Sequence, residues 1–409
     1  MDPKHIQSKI IECGPLGPLS PYIDSYVRLL NEKGYALASV RDHVRVIVRF
    51  SRSLQRSDCQ IRDLDEAIVE RFLHHKPKSH LHCAPATLRR LLAMLRSTGA
   101  TLAGKLTPPR TPAQQLTDIY RRFLLEEQAL SSRTADAWVL FADKFISERF
   151  GTSALKISEL NATDVTAFVQ RHAYRHSPSH ARSLVSAMRS FLRYLRYKGL
   201  IDIDLARAVP KVALWSLSSL PKHIPATAVQ RVLDSCDQET PMGRRNYAIL
   251  LLLSRLGLRA AEIVGLNLED IDWANALITV LGKGGQRAQL PLPADVGQAV
   301  AQYLHGDRPR CSSRRVFIRD HAPLAGLGHS HAISKIVWCA LEKAGVKSAR
   351  KGAHLLRHSL ATDMLQKGAS LGEIGEVLRH KSPDSTAIYA KVELDALRPL
   401  ALHWPGGVK

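Results

Sequence analysis

The chain has 409 residues, of which 58 are lysine or arginine and 37 aspartate or glutamate, so its formal net charge is +21 and its pI about 10.0. This length predicts two or three domains, and the charge makes nucleic acid the first expected partner, because each neutralised phosphate releases condensed counterions. The sequence shows neither an apolar run of roughly 20 residues nor a signal-peptide pattern. We therefore expect a cytoplasmic, nucleoid-associated protein without a membrane partner.

Proline-rich stretches divide the chain at two places. The segments "GKLTPPRTPAQQ" at 104–115 and "VPKVALWSLSSLPK" at 209–222 predict linkers. They separate a first helical module at 1–103, a second helical module at 116–208, and a C-terminal domain with its tail at 223–409. The patterns predict a mainly α fold with a small β-hairpin or sheet: two helical modules followed by a mixed α+β domain.

The cysteine and histidine residues point away from disulfides and metals. Six scattered cysteines without a C-x-x-C pair predict reduced thiols. One run, "HHKPKSHLHC", is a zinc candidate, but zinc prefers two spaced ligand pairs, so a basic loop near DNA is the favoured interpretation. Its possible ligands are His74, His75, His80, His82 and Cys83. We expect neither a metal nor another cofactor.

The two helical modules resemble each other in sequence. "YVRLLNEKGYALAS" from Tyr26 aligns with "YRRFLLEEQALSS" from Tyr120, about 94 residues later. Both modules end with a helix followed by a glycine in a C-cap position, Gly99 or Gly199. A tandem duplication of a helical module explains this, with coincidence between amphipathic segments as the alternative. The apolar positions that match in spacing are Leu64, Val69 and Phe72 in the first module and Leu160, Val165 and Phe168 in the second.

The last helix of the second module, "RSLVSAMRSFLRYLRYKG", has an apolar stripe and a basic face. The stripe comprises Leu184, Met188, Phe191 and Leu195. The candidate DNA-binding residues Arg182, Arg189, Arg193 and Arg196 fall largely off it. A solvated face is the alternative, but the high net charge and the interleaved Tyr194 and Tyr197 favour phosphate contact.

The C-terminal domain mixes helices and strands. "GRRNYAILLLLSRLGLRAAEIVGL" predicts a buried helix, a turn near Gly257 and another helix. The runs "ALITVL" and "RAQLPLP" predict a hairpin with Lys283 at its glycine-rich tip. Helices then follow around "SHAISKIVWCALEKAG", "HLLRHSLATDMLQKG", "SLGEIGEVLRH" and "DSTAIYAKVELDALRPLAL".

The polar residues of this domain suit phosphoryl transfer, in the order Arg259, Lys283, His354, Arg357, His380 and Tyr389. Two arginines can hold both non-bridging oxygens of a phosphodiester. His354 and Arg357, three residues apart, project from one side of a helix, and a histidine can accept or donate a proton. A mobile lysine could protonate the leaving oxygen.

Tyr389 is the predicted nucleophile. A phenol with a pKa of about 10 attacks poorly unless nearby cations lower that pKa or a base takes its proton, and we expect the arginines and histidines to do both. The resulting phosphotyrosine would conserve the energy of the broken phosphodiester. Religation would then need no nucleotide, and the guanidinium groups would replace a metal ion.

Four motifs, "GLRAAEIVGL", "GKGGQRAQLPL", "HLLRHSLAT" and "VLRHKSPDSTAIYAKV", together resemble the tyrosine recombinase family, the phage-integrase-like site-specific recombinases. The resemblance covers roughly residues 115–395 and implies catalytic roles for the six residues above, with a 3′-phosphotyrosyl intermediate. It further implies that the second module is a SAM-like core-binding domain. The implied function is DNA recombination for a mobile element, by integration, excision or transposition.

The resemblance also implies partners: double-stranded DNA, a homotetramer on two DNA sites, and sibling recombinases or accessory proteins. The family usually has glycine before the late histidine, whereas Arg379 stands here and is expected to add a phosphate contact. The first module lies outside the minimal family pattern and is expected to make extra DNA or protomer contacts. The tail "ELDALRPLAL" docks either on a neighbouring protomer or on its own domain.

Three rival functions remain. A DNA-binding regulator could use "SLGEIGEVLRHKSPDSTAIYAKV" as a helix-turn-helix, but leaves the lysine hairpin and the two arginine motifs unexplained. A type IB topoisomerase shares the chemistry, but the duplicated modules favour defined sites. A metal-dependent nuclease would need the acids of "NLEDIDW", namely Glu269, Asp270 and Asp272, which more simply begin the hairpin on its solvent side.

Overall fold

A computed structural model describes residues 17–74, 83–101, 111–151, 154–175, 177–211, 222–282, 285–380 and 382–392. The chain divides into two compact units, one formed by Met1–Lys105 with Ser219–Lys409 and the other by Leu106–Ser218. Most of the histidine-rich run, residues 75–82, lies outside the described residues, and so does Lys283. No helix within the described ranges is long and apolar enough to cross a membrane.

The first helical module is built from four helices: α1 (Ile23–Glu32), α2 (Leu37–Arg56), α3 (Glu66–His74) and α4 (Ala84–Ser97). A 3-10 turn, Ile61–Asp63, precedes α3. Apolar residues on one side of each helix meet in a core that includes Tyr26, Phe50 and Leu91, each at most 1% exposed. After α4 the chain reverses at Gly99, whose φ of 70° is a conformation that glycine adopts without steric cost.

The second helical module repeats this order of elements. Its helices are α5 (Pro112–Glu126), α6 (Ser132–Phe150), α7 (Ala162–Ala173) and α8 (Pro178–Tyr197), with a 3-10 turn at Ile157–Glu159 before α7. Capping boxes at Thr111 and Asn161 satisfy the first backbone N–H groups of α5 and α7. The predicted apolar stripe of α8 is confirmed, because all four of its residues are fully buried. Gly199 has a φ of 67°, close to that of Gly99.

The C-terminal domain surrounds one long buried helix. Its helices are α9 (Ala226–Asp234), α10 (Pro241–Arg255), α11 (Ala260–Gly265), α12 (Ala294–Gln302), α13 (Ser330–Lys343), α14 (Ala353–Gln366), α15 (Leu371–Leu378) and α16 (Asp384–Ala387). Residues 248–253 of α10 are all buried, as the apolar run predicted. Helix α10 packs against α12 and α14, and α14 carries the predicted site residues His354 and Arg357.

The predicted hairpin forms the main part of a small antiparallel sheet. Its strands are β1 (Ile271–Asp272), β2 (Leu277–Leu281) and β3 (Arg287–Pro291), in the order β1-β2-β3. Leu277 pairs with Pro291 and Leu281 with Arg287, so the two predicted strands pair in the antiparallel register that a hairpin requires.

A tight turn brings α14 and α15 against the start of α11. Gly257 has a φ of 57°, and a Cβ atom at this position would lie 2.7 Å from Cδ2 of Leu378. A second, small core beside this turn contains Leu365, Ile374, Leu378 and the ring of Tyr389. The turn, the end of α15 and Tyr389 are therefore neighbours, although 132 residues separate Gly257 from Tyr389 in sequence.

Candidate active site

Arg357 on α14 is the structural anchor of the site. Its side chain is buried, and its two terminal nitrogens donate hydrogen bonds to the carbonyl oxygens of Gly257 and Leu378. Burial, assisted by the charges of Arg259 and Arg379, lowers the pKa of Arg357 to about 10. The group therefore stays charged at neutral pH. A guanidinium has five N–H donors, so these two bonds fix it without using its full capacity.

Arg259 is held by the first turn of α11. Its backbone N–H donates to Oε2 of Glu262 at 2.8 Å, and its Nη1 donates to Oε1 of the same carboxylate at 2.7 Å. Nη2 also donates to the carbonyl oxygen of Arg379 at 3.3 Å. The carboxylate lies three residues along a helix, so local geometry alone brings it to Arg259. About 29% of the Arg259 side chain stays exposed, which leaves it open to a ligand.

Arg379 shares the same carboxylate from the opposite side. It ends α15 with a φ of 54° and a ψ of 50°, a left-handed conformation that residues with a Cβ rarely adopt. Its Nη2 donates to Oε2 of Glu262 at 3.0 Å, and Nη1 donates to the carbonyl oxygen of Val377 at 3.0 Å. The sequence predicted a phosphate contact for Arg379, whereas in the structure the guanidinium is paired with Glu262. Two guanidinium groups share this carboxylate and Arg357 adds a third positive charge nearby, so the site keeps a net positive charge that suits a phosphodiester.

The ring of Tyr389 lies inside the domain rather than at its surface. The side chain is 1% exposed, and its hydroxyl lies 2.8 Å from Nδ1 of His358. Burial raises the pKa of Tyr389 to about 12, and the opposing charge of Arg357 does not cancel this effect. The expectation that the surrounding cations lower the pKa of the phenol is therefore wrong for this arrangement, because removal from water dominates.

His358 is the hydrogen-bond partner of that phenol. Desolvation, followed by the influence of His354 and Arg357, lowers the pKa of His358 to about 4, so its ring is neutral at pH 7. A neutral imidazole carries its proton on one nitrogen, and in the tautomer with the proton on Nε2 the Nδ1 atom accepts from the phenol. The structure thus pairs the predicted nucleophile with a group that can take its proton.

The two predicted histidines flank this pair. His380 stacks parallel to the ring of Tyr389, with centroids 6.5 Å apart, and its Nδ1 lies 2.7 Å from Oγ1 of Thr386. Desolvation, then the charges of Arg357 and Arg259, lower the pKa of His380 to about 4. His354 is exposed on α14, and its ring centroid lies 6.3 Å from that of His358. The His354 ring is exposed and the His380 ring is half-buried.

The structure gathers Arg259, His354, Arg357, His380 and Tyr389 in one region, while the sixth predicted residue, Lys283, lies outside the described residues. Sequence reasoning assigned no role to two residues of this region. His358 follows Arg357 directly in the motif, and Glu262 stands three residues after Arg259, a spacing typical of a capping box. Both signals were present in the printed sequence.

The predicted basic face of α8 is largely at the surface. Arg182, Arg193 and Arg196 are exposed, and Arg189 is half-buried with Nη2 donating to the carbonyl oxygen of Val209 at 3.1 Å. Tyr194 alternates with these arginines in sequence but does not share their exposed face. Its ring is buried and packs on an aromatic residue of α5, whereas that of Tyr197 is exposed.

The three acidic residues of "NLEDIDW" each have a partner of their own. Glu269 pairs with Arg314 at 2.5 Å, Asp270 accepts a backbone hydrogen bond from Asn267, and Asp272 accepts from the turn that follows it. Within the part of the chain that the structure describes, no three histidine, cysteine or acidic residues form a group that could hold a metal ion.

Comparison with known proteins identifies relatives that cover up to 96% of the chain. The family model described as "Phage integrase family" matches residues 222–395. A Sinorhizobium fredii protein named "Putative integrase/recombinase y4rA" is 45% identical over 394 residues, which is 96% of each chain. "Tyrosine recombinase XerD" of Listeria innocua is 30% identical over 286 residues, covering 68% of this chain and 94% of the relative.

Solved structures share the fold at low sequence identity. The post-cleavage complex of the XerH site-specific recombinase with a palindromic difH substrate matches with a TM-score of 0.58 at 19% identity, covering 82% of this chain and 94% of the other. A lambda integrase (75–356) dimer bound to a COC′ core site matches with a TM-score of 0.53 at 14% identity, over 72% and 98% of the two chains. The predicted fold class is thus confirmed, and the sequence similarity shows that this chain belongs to the phage integrase family, the tyrosine recombinases.

Proposed function

We propose that this site-specific recombinase cuts and rejoins duplex DNA through a 3′-phosphotyrosyl intermediate on Tyr389, for the integration, excision or transposition of a mobile element. The observation that carries the proposal is that Arg357 and His380 lie beside Tyr389, with Arg259 acting on the same His380, and that the Tyr389 hydroxyl is hydrogen-bonded to the imidazole of His358. A DNA-binding regulator would need positive charge at this place, but not a phenol paired with a proton acceptor.

The proposed reaction is an exchange of phosphodiester bonds. The hydroxyl oxygen of Tyr389 attacks the scissile phosphorus, its proton passes to His358, and the bond from phosphorus to the 5′ oxygen breaks. Arg259 and Arg357 hold the non-bridging oxygens, and their charges stabilise the pentacoordinate transition state. Lys283 protonates the leaving 5′ oxygen. In the reverse direction, a 5′-hydroxyl attacks the phosphotyrosine and releases Tyr389.

The burial of Tyr389 requires a movement before the chemistry. At 1% exposure the phenol cannot touch an external phosphate, so the short segment formed by α16 and the following 3-10 turn, Ile388–Val392, must shift when DNA binds. The raised pKa of Tyr389 then prevents premature reaction, because a phenol that stays protonated and buried is unreactive until the substrate is bound.

We further propose that the second module and the C-terminal domain have different tasks. The second module is the core-binding domain and contacts DNA through Arg182, Arg189, Arg193 and Arg196, while the C-terminal domain carries the chemistry. Four protomers act together on two DNA sites. The lambda integrase neighbour that is described as a tetramer bound to a Holliday junction, with a TM-score of 0.53, supports this arrangement at the level of the fold.

Covalent trapping tests the proposed function. Wild type, Tyr389→Phe and the matched control Tyr174→Phe, which changes an exposed tyrosine outside the basic face of α8, are incubated in EDTA with suicide substrates cut from DNA flanking the gene. We expect an SDS-resistant protein–DNA band with wild type and with the control, but not with Tyr389→Phe. Tight, salt-sensitive binding without a band in wild type would instead favour the regulator.

The role of Lys283 has a separate test. Lys283→Ala should slow cleavage, and a substrate with a 5′-bridging phosphorothiolate should restore the rate, because sulfur leaves without a proton. A variant that remains slow on the sulfur substrate would remove Lys283 from the acid role.

A further inference from the structure

Helix α2 of the first module carries five arginines in a single row: Arg41, Arg45, Arg49, Arg52 and Arg56. Their spacings of three and four residues place them within an arc of about 80° around a helix with about 100° per residue. The row extends for about 22 Å at a rise of about 1.5 Å per residue. Four of the side chains are exposed and that of Arg52 is half-buried.

The opposite side of α2 is the core of the module. Val44, Ile47, Phe50 and Leu54 are each at most 4% exposed and pack with the other three helices. The arginine row therefore takes no part in that core. The sequence of α2 contains a single acid, Asp42, which pairs with Arg45 at 3.1 Å. The helix keeps a formal excess of four positive charges.

The corresponding helix of the second module lacks this charge. Helix α6 occupies the same place in the order of elements, and its three basic residues are balanced by three acids. Those residues are Arg133, Lys144 and Arg149 against Asp136, Asp143 and Glu148. The fold of such a module consequently does not require a basic second helix. Like charges four residues apart destabilise an isolated helix by about 0.2–0.5 kcal/mol per pair, so the row costs stability unless a polyanion neutralises it.

The charge of the whole chain decides between two possible partners. A second protomer would bring another net charge of +21, which makes it a poor partner for an arginine row. Duplex DNA carries a dense, regular line of phosphates, and the guanidinium group pairs with phosphate oxygens through two parallel hydrogen bonds. Arginines in a row along one face of a helix can pair with successive phosphates, and such contacts fix position without carrying sequence information.

We infer that the arginine face of α2 binds the phosphate backbone of duplex DNA, so that the first module adds a sequence-independent DNA contact to those of the recombining domains. This inference rests on the proposed function and assigns a partner to the module that the minimal family pattern leaves out. Phosphate contacts of this kind increase affinity and its dependence on salt without changing the chemistry at Tyr389.

The test compares two variants of the full chain that lose the same charge. The first is Arg41→Gln/Arg49→Gln/Arg56→Gln on the row, and the control is Arg28→Gln/Arg62→Gln/Arg89→Gln, which changes exposed arginines elsewhere in the first module. Circular dichroism verifies that both variants fold. Fluorescence anisotropy measures the Kd for a labelled duplex without a recombination site, from 50 to 200 mM salt.

Loss of three phosphate contacts should make the negative slope of log K against log salt shallower by about 2.7. Over that range, wild-type affinity should fall about 40-fold more than that of the row variant, while the control keeps the wild-type slope. Equal slopes for the row variant and wild type, or the same reduction in both variants, would overturn the inference.

Covalent trapping on a core site separates this inference from the proposed function. At saturating protein concentration the row variant should form as much adduct as wild type, because the row lies outside the catalytic machinery. A row variant that binds with the wild-type salt dependence but loses the adduct would contradict the assignment. If wild type forms no adduct, the proposed function fails, and the salt experiment still decides the role of α2.

Discussion

The carboxylate of Glu262 is expected to hold the site together, and Glu262→Gln tests this. Its side chain is 2% exposed and pairs with Arg259 at 2.7 Å and with Arg379 at 3.0 Å. Glutamine keeps the shape and one acceptor oxygen but removes the negative charge between two guanidinium groups. Removal of one partner from a buried ion pair costs about 3–5 kcal/mol. Because glutamine retains one hydrogen bond, we expect the free energy of unfolding to fall by about 3 kcal/mol.

The matched control is Glu269→Gln, which also removes an arginine partner. Its side chain is 55% exposed, so solvent screens its pair with Arg314 and little stability should be lost. Hydrogen exchange of peptides from α10 reports opening of the C-terminal domain alone. A loss of about 3 kcal/mol lowers the protection of these amides roughly 100-fold. Equal protection in the two variants would refute the assignment of Glu262 as the central counter-ion.

Two further predictions concern the same domain. Because the pKa of His358 is about 4 in the folded state against an ordinary 6.5, the unfolded ring binds a proton first as the pH falls. The neutral His358 ring therefore contributes at most about 3 kcal/mol to the free energy of unfolding. This contribution is complete above pH 6.5 and is lost as the pH falls towards 4. His358→Asn should therefore flatten the pH dependence of hydrogen exchange in that range, whereas the exposed control His331→Asn should not. Gly257→Ala should lower the melting temperature more than Gly345→Ala. Both glycines have a positive φ, but only a Cβ atom at position 257 would collide with the side chain of Leu378. Equal shifts of the melting temperature would contradict this packing.

Features with a local cause could be predicted from the sequence. The apolar run of α10, the turn at Gly257 and the pairing of β2 with β3 all follow from periodicity and turn residues, and the structure has them. The order of the arginines, histidines and tyrosine was equally readable, because a motif keeps its residue types whatever surrounds them.

Features that depend on distant residues could not be predicted. Arg379 meets Glu262 across 117 positions, so the sequence shows the unusual arginine but not its partner. The raised pKa of Tyr389 likewise arises from burial beneath α14 and α15, which no pattern around "AIYAKV" indicates. Tyr194 stands beside arginines in sequence, yet the helix turns its ring towards Tyr120.

Mass spectrometry of the trapped adduct tests the central claim most directly. Trypsin should cleave after Lys381 and Lys391 and release residues 382–391, "SPDSTAIYAK", in which Tyr389 is the single tyrosine. After nuclease digestion of the adduct, the account predicts a nucleoside 3′-phosphate attached to Tyr389 in this peptide. An adduct on Ser385, on Thr386 or on any other residue, or a linkage through the 5′ end of the DNA, would contradict it.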